Sequence, residues 1–278
     1  MKFRTIFLCI LLVFSLTACG ITQPAQTTAA DTTASPDSTT VPDTTAAEVP
    51  VPESPDPPTA PTGRTVTSLP EEYTLDDLVF PYWEETLEWS DGYNNNTFTA
   101  VIPGIYPFSE DAIRCEAEIF QFMSPFAEEA LDLMNRHMSV SSAAIGYDAY
   151  LNGKILSLVV WEDDNHDRIT YHVFNLDLTT GKQLLSADMK TLVDISDADI
   201  SAAISDAFLS KYGSKDSFTN PDLSEAYQEQ YDRSIAQENI DLAQIYLGEN
   251  GEAFIAANVY SLAGADYYPQ LLPLNETE

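Results

Sequence analysis

Between residues 20 and 66 there is no aromatic side chain, whereas all three tryptophans and all fourteen tyrosines follow residue 66. The aromatic-free stretch holds twelve threonines, nine prolines and one basic residue, Arg64. Asp-Thr-Thr-Ala occurs at 31–34 and again at 43–46. A segment with so little to bury cannot offset the entropy lost on ordering, so it reads as a disordered spacer. Its 47 residues average roughly 35–40 Å end to end as a flexible coil, and roughly 145 Å as polyproline II. The fold must therefore come from residues 67–278, which suffice for one domain or two small units sharing a core.

Within that segment the patterns alternate between sheet and helix. Residues 71–89 read as an extended lead-in ending in a strand, and Ser90–Asn96 as a turn. Phe98–Ile105 reads as a strand broken by Pro103-Gly104. Ser109 caps a helix opening on Glu110-Asp111, and Ser124-Pro125 predicts a restart or kink before a second helical stretch to about Met138. Val140–Tyr150 and Lys154–Trp161 flank Leu151-Asn152-Gly153, whose Asn-Gly is the strongest short hairpin signal. Arg168–Leu178 and Gln183–Leu185 extend this into a four-stranded meander. Ser196 and Asp199 form a capping box with a shortened acid. Ile200, Ile204, Phe208 and Tyr212 then give one apolar helix face, and Gly213 stops it. A helix over 224–238, a hairpin around Glu249-Asn250-Gly251 and a last strand at Gln270–Leu274 complete the reading. The expectation is an α+β fold, an antiparallel sheet meander with two to four helices packed on it.

The N-terminus has the layout of an export signal: Lys2 and Arg4, then nine apolar residues from Ile6 to Phe14, too few for a stable span of about 20. Leu16-Thr17-Ala18-Cys19 before Gly20 resembles the lipobox of bacterial lipoproteins. That resemblance implies cleavage after residue 18, a diacylglyceryl group on Cys19, and residence on the outer face of a Gram-positive plasma membrane. Two acyl chains anchor a protein stably where one does not. The expected organisation is a signal peptide over 1–18, a lipidated cysteine and linker over 19–66, and an extracytoplasmic domain over 67–278. Cys9 leaves with the signal, so Cys115 remains alone, with no internal disulfide, and reads as a buried inert thiol.

Charge narrows the partners. The chain carries 12 Lys and Arg against 44 Asp and Glu. Residues 67–278 hold 9 against 38, a net charge of −29. Nucleic acid is excluded, because its recognition needs a basic patch. A cationic partner is permitted, since opposite fields steer association, while solubility alone accounts equally for such a charge.

Catalytic signatures are sparse. There is no Gly-x-Ser-x-Gly, His-Glu-x-x-His, Cys-x-x-Cys or phosphate loop, and only three histidines, at 137, 166 and 172. Asp163, Asp164, His166 and Asp167 offer oxygens and an imidazole for a divalent cation, but without the spacing or glycine of a calcium loop. They read first as an acidic hairpin turn, with a cation site as the alternative, and no metal is expected. Glu84, Glu85 and Glu88 beside Trp83 and Trp89 have the composition of a sugar-handling site, which pairs carboxylates across a glycosidic bond. No cofactor is expected.

Three further segments point to a family. Tyr150–Leu158 is followed by Phe174-Asn-Leu-Asp-Leu-Thr-Thr-Gly-Lys182, then Leu184 and Met189, and later by Ile245–Glu252. In this order they resemble the uncharacterised extracytoplasmic domain of the lysozyme-sensing anti-sigma factor of Firmicutes. Phe98–Met138 resembles the accompanying N-terminal half seen beside some polysaccharide deacetylase domains. The resemblance implies an α+β domain that binds rather than catalyses, with a muramidase or wall glycan as ligand. It transfers no ligand residue. A cytoplasmic anti-sigma segment and a deacetylase domain are both missing from this sequence. The expected function is thus a membrane-anchored, non-enzymatic binding or sensing module at the cell wall, for a cationic protein such as lysozyme or for peptidoglycan. A wall-acting hydrolase and a solute-binding lipoprotein are the alternatives.

Overall fold

The computed structural model describes residues 55–90, 92–139, 143–163, 169–262 and 266–274. In chain order these form α1 (Leu75–Leu78), β1 (Val79–Ser90), β2 (Asn95–Ile105), α2 (Glu110–Asn135), β3 (Ala143–Asn152), β4 (Ile155–Asp163), β5 (Ile169–Asp177) and β6 (Lys182–Leu184). The second half adds α3 (Ser186–Leu192), α4 (Asp197–Tyr212), α5 (Pro221–Ser234), α6 (Gln237–Leu242), β7 (Gln244–Leu247), β8 (Ala253–Tyr260) and β9 (Tyr267–Pro273). The α+β class expected from the sequence is what is observed. β1 to β6 make a six-stranded sheet in sequential order, and β7 to β9 a separate three-stranded one. All pairs are antiparallel except β2 with β3, which run parallel because α2 carries the chain back across the sheet. Among the described residues no helix is long and apolar enough to cross a membrane.

Each sheet has its own core. Ala112, Cys115, Ile119, Phe120, Met123 and Ala127 recur every three or four residues along α2 and pack on the inner face of the large sheet, against Phe98, Ile102, Leu156 and Leu158. This stripe runs through Ser124-Pro125 without a break, so one helix stands where two were expected. Met123 and Ala127, both buried, hold the chain helical on either side of the proline. Burial pushes the Cys115 thiol up to about 12, which leaves it inert. The second core joins Ile200, Ile204 and Phe208 of α4 to Tyr227 of α5 and to Ile245, Ile255 and Val259 of the small sheet. The capping box of α4 is formed as read: Asp199 N–H donates to Ser196 Oγ at 3.3 Å, and Ser196 N–H to Asp199 Oδ2 at 2.8 Å. Gly213 closes α4 at φ 74°. Six α-helices are present among the described residues, and the short α1, α3 and α6 lie where the sequence pattern predicts none.

The central hairpin is offset from its signal. Asn152 pairs with Ile155, so the turn is Gly153-Lys154, and only Gly153 has positive φ (61°). Glycine at the first turn position suits a II′ turn rather than the I′ turn expected of Asn-Gly. The offset sets Leu151 opposite Leu156 instead of Lys154. Asn152 reaches out of the turn, donating its amide to the Gly248 carbonyl at 2.8 Å.

The unpaired edge of β7 rests on the large sheet through buried side chains. Leu247 N–H donates to Ser157 Oγ (3.1 Å), and Ser157 Oγ donates to Asn175 Oδ1 (2.7 Å). Asn175 Nδ2 completes the circuit on the Ile245 carbonyl (2.8 Å). Neither Ser157 nor Asn175 is more than 4% exposed. Replacing Asn175 by Ala orphans the Ser157 hydroxyl and the Ile245 carbonyl, and should cost about 2–3 kcal/mol of stability, since buried unmet polar groups cost about 1–3 kcal/mol each. Urea unfolding of the variant against wild type measures this.

Packing also begins ahead of residue 67. Pro58 is buried, and Arg64 Nε pairs with Glu116 Oε2 of α2 at 3.0 Å. Arg64 also donates to the Ile105 carbonyl (3.0 Å), while the Ile105 N–H donates to Glu116 (2.9 Å). Burial pushes the Glu116 carboxyl above its usual range, with the Ile105 N–H and the Arg64 charge only partly opposing it. Arg64→Ala should destabilise by about 3–5 kcal/mol at neutral pH, because it strands a buried carboxylate. A carboxyl whose pKa is raised by folding favours the fold when protonated, and that benefit fades as pH rises through the raised pKa. The deficit of Arg64→Ala should therefore shrink on acidification, and thermal unfolding from pH 7 down to pH 4 reads it.

Candidate functional site

The large sheet has two unlike faces. α2 covers the inner one, and the small sheet covers only part of the outer one. Strand alternation places Gly146, Asp148 and Tyr150 of β3, Ser157, Val159 and Trp161 of β4, and Tyr171, Val173 and Asn175 of β5 on the outer face. Pairing arranges them in rows across the strands. Gly146, Trp161 and Tyr171 form one row, Asp148, Val159 and Val173 the next, and Tyr150, Ser157 and Asn175 the third.

The last row binds β7 and so brings Tyr246 over the face. Tyr246 lies between Ile245 and Leu247, the two residues held by Asn175 and Ser157. Its ring stacks on Tyr150 (centroids 6.0 Å, 20°) and on Phe254 of β8 (5.4 Å, 18°). Beneath these rings Val159 is fully buried. At the first row a Cβ on Gly146 would overlap the six-membered ring of Trp161, so glycine is what lets the indole lie back on β3. Strand register thus sets Trp161, Tyr171 and Tyr150 around the exposed Asp148 in a shallow hollow, with Tyr246, 4% exposed and stacked on both Tyr150 and Phe254, backing Tyr150.

The electrostatics of the hollow are consistent. Asp148 is exposed, yet the crowding around it raises its carboxyl above the ordinary range, with the Trp161 indole N–H pulling the other way. Tyr150, Tyr171 and Tyr246 are all shifted up, mainly by burial, and in each case the Asp148 charge adds to the shift. The five strands β1 to β5 hold seven carboxylates (Glu84, Glu85, Glu88, Asp148, Glu162, Asp163 and Asp177) and no lysine or arginine. Five of the seven (Glu84, Glu88, Asp148, Asp163 and Asp177) alternate onto the outer face, and such a surface favours a cation and disfavours an anion.

The residues singled out from sequence fall elsewhere. Cys19 lies outside the described residues, as do Asp164, His166 and Asp167, while Asp163 ends β4 at the rim of the outer face. Glu84 and Glu88 are exposed, but Trp83 and Trp89 point the other way into the core side, so adjacency in sequence did not become adjacency in space. His172 sits on the inner face, stacked on Phe122 of α2 (4.0 Å, 9°). That pair lines a cavity of about 180 Å3 that also holds Glu118 and Ser186. The Ser186 hydroxyl there donates to the Ala243 carbonyl (2.9 Å). A larger cavity of about 550 Å3, lined mainly by Val193, Ile195, Ala253, Pro273 and Leu274, is mostly apolar. The hollow at Asp148 was missed from sequence. Its signal was the alternation of Gly146, Asp148 and Tyr150 opposite Trp161 and Tyr171, whereas Tyr246 arrives through tertiary packing alone.

No protein-family model matches this chain, and no curated protein matches it. Among solved structures it is similar to a DUF3298 family protein from Pseudomonas aeruginosa PAO1, 13% identical with a TM-score of 0.36, over 72% of this chain and 92% of that one. A member of the DUF3298 family from Bacteroides fragilis NCTC 9343 is 11% identical with a TM-score of 0.28, over 70% of this chain and 88% of its own.

The glycine beneath the indole is directly testable. Gly146→Ala must displace Trp161, at a cost of about 1–3 kcal/mol for an overpacked buried site. The expected outcome is a lower urea midpoint together with an altered tryptophan emission, reflecting an indole lifted into water.

Proposed function

We propose that the protein is a membrane-tethered, non-enzymatic extracytoplasmic module that binds a cationic protein, of which lysozyme is the type, through the outer face of its large sheet. The observation that carries this reading is the charge of that face: strand alternation turns Glu84, Glu88, Asp148, Asp163 and Asp177 outward, and β1 to β5 carry no lysine or arginine, Lys182 of the short edge strand β6 being the sheet's basic residue. Opposite fields steer such pairs together before contact. The lipobox resemblance at Leu16–Gly20 supports an anchor at Cys19 on the outer face of the plasma membrane. The Thr- and Pro-rich stretch would then hold the domain away from the lipid, in the zone where wall enzymes work.

A binding role also accords with the chemistry found. In the smaller cavity Ser186 is committed to a backbone carbonyl and His172 to a ring stack, so the groups a hydrolase would need are otherwise engaged. A second reading, a wall-glycan ligand, is favoured by one feature. The Trp161 indole, laid back over Gly146, presents a flat ring of the sort on which sugars stack.

Capture experiments separate the two. The full chain should retain a basic muramidase at low salt and release most of it near 0.5 M salt, where the screening length falls to about 4 Å. Failure to retain it at any salt, with retention of purified peptidoglycan, would replace the first reading by the second.

A further inference from the structure

We infer that the hollow beside Asp148 is a socket for one guanidinium or ammonium group, carried by an arginine or lysine side chain of the partner. This rests on the reading that the outer sheet face meets a cationic protein, and it names the contact that would anchor it. A carboxylate next to the faces of several aromatic rings is the arrangement that holds a desolvated cation, through charge pairing and through the ring quadrupoles. Trp161, Tyr171 and Tyr150 supply the rings and Asp148 the charge, while Tyr246, stacked on Tyr150 and Phe254, holds Tyr150 from behind.

The rest of the molecule shows how this chain treats such groupings. Arg64 lies over Phe80 and Tyr82 at 5.9 and 5.7 Å, and Lys154 over Tyr73 at 5.0 Å. Lys211 lies over Tyr268 at 3.5 Å, and Arg233 over Tyr260 at 4.1 Å beside Asp266. In each case a lysine or arginine of the chain itself covers the ring. The hollow at Asp148 has more rings and its own carboxylate, yet among the described residues no lysine or arginine of the chain pairs with Asp148 or covers these rings. The same chemistry that is filled internally elsewhere is here turned outward.

The probe is N-acetyl-arginine amide, with the uncharged citrulline analogue as its control. The full chain carrying 15N-labelled tryptophan gives three indole signals, and Trp161→Phe assigns the relevant one. The arginine probe should shift the Trp161 signal saturably while leaving Trp83 and Trp89 unmoved. Asp148→Asn, exposed and nearly isosteric, should weaken that binding by about tenfold or more, and citrulline should bind the wild type about tenfold more weakly than arginine. Unchanged Trp83 and Trp89 signals in Asp148→Asn show that its fold is kept. Equal binding of arginine and citrulline, an unaffected Asp148→Asn, or no shift of Trp161 would each overturn the socket. The two readings fail separately. A muramidase held equally by wild type and Asp148→Asn removes the socket and keeps the binding module. Asp148-dependent arginine binding without capture of any basic protein keeps the socket and removes that partner.

Discussion

The two halves of this domain meet where the edge of a strand stands on the face of a sheet. An unpaired edge exposes a row of N–H and C=O groups, which proteins must cover or blunt. Here Ser157 and Asn175 cover it, because a hydroxyl and a carboxamide can each both give and take hydrogen bonds. Valine at either position would pack well and leave β7 with unmet polar groups, so this is a case where a polar pair is required inside a core. The functional geometry follows from the same bonds. They flank Tyr246 on both sides, and Tyr246 is the ring that backs Tyr150.

A second polar clamp works at the opposite end of the large sheet. Glu116 and Arg64 together satisfy both backbone groups of Ile105, the last residue of β2. Removing a carboxylate from water is costly, and the direction of the Glu116 shift shows that desolvation outweighs the ion pair. What the clamp supplies is specificity of position. It fixes where the chain leaves the Thr- and Pro-rich stretch and enters the fold.

Local chemistry was legible in the sequence where one residue decides the outcome. Ser109, Ser196 with Asp199, and Gly213 end their helices as expected, because caps depend on side chains within three residues. The Asn-Gly turn was displaced by one residue because cross-strand matching of Leu151 with Leu156, and the bond from Asn152 to Gly248, outweigh the local turn preference. Pro125 failed to break α2 because the buried stripe continues on both sides. The parallel pairing of β2 with β3 was out of reach, since it depends on where a long helix delivers the chain. The short helices α1, α3 and α6 are too brief to show a periodicity. The acid-and-tryptophan cluster at 83–89 misled for a related reason: neighbours in a strand face opposite ways.

Net charge alone would not have located the hollow. A value of −29 spread evenly would describe solubility and little more. The physical information lies in the segregation. Described lysines and arginines sit in the lead-in at Arg64, in helices, turns and the three-residue β6, where Lys190 and Arg233 pair with acids and Lys154 and Lys211 lie over rings. The five long strands are left with acids only. An inward-facing acid on a strand must find a partner or protonate, but an outward-facing one can wait for a ligand. Asp148 belongs to the second kind, and the rings beside it would lower the local dielectric for the cation proposed above, which would then be held more tightly than beside an open surface carboxylate.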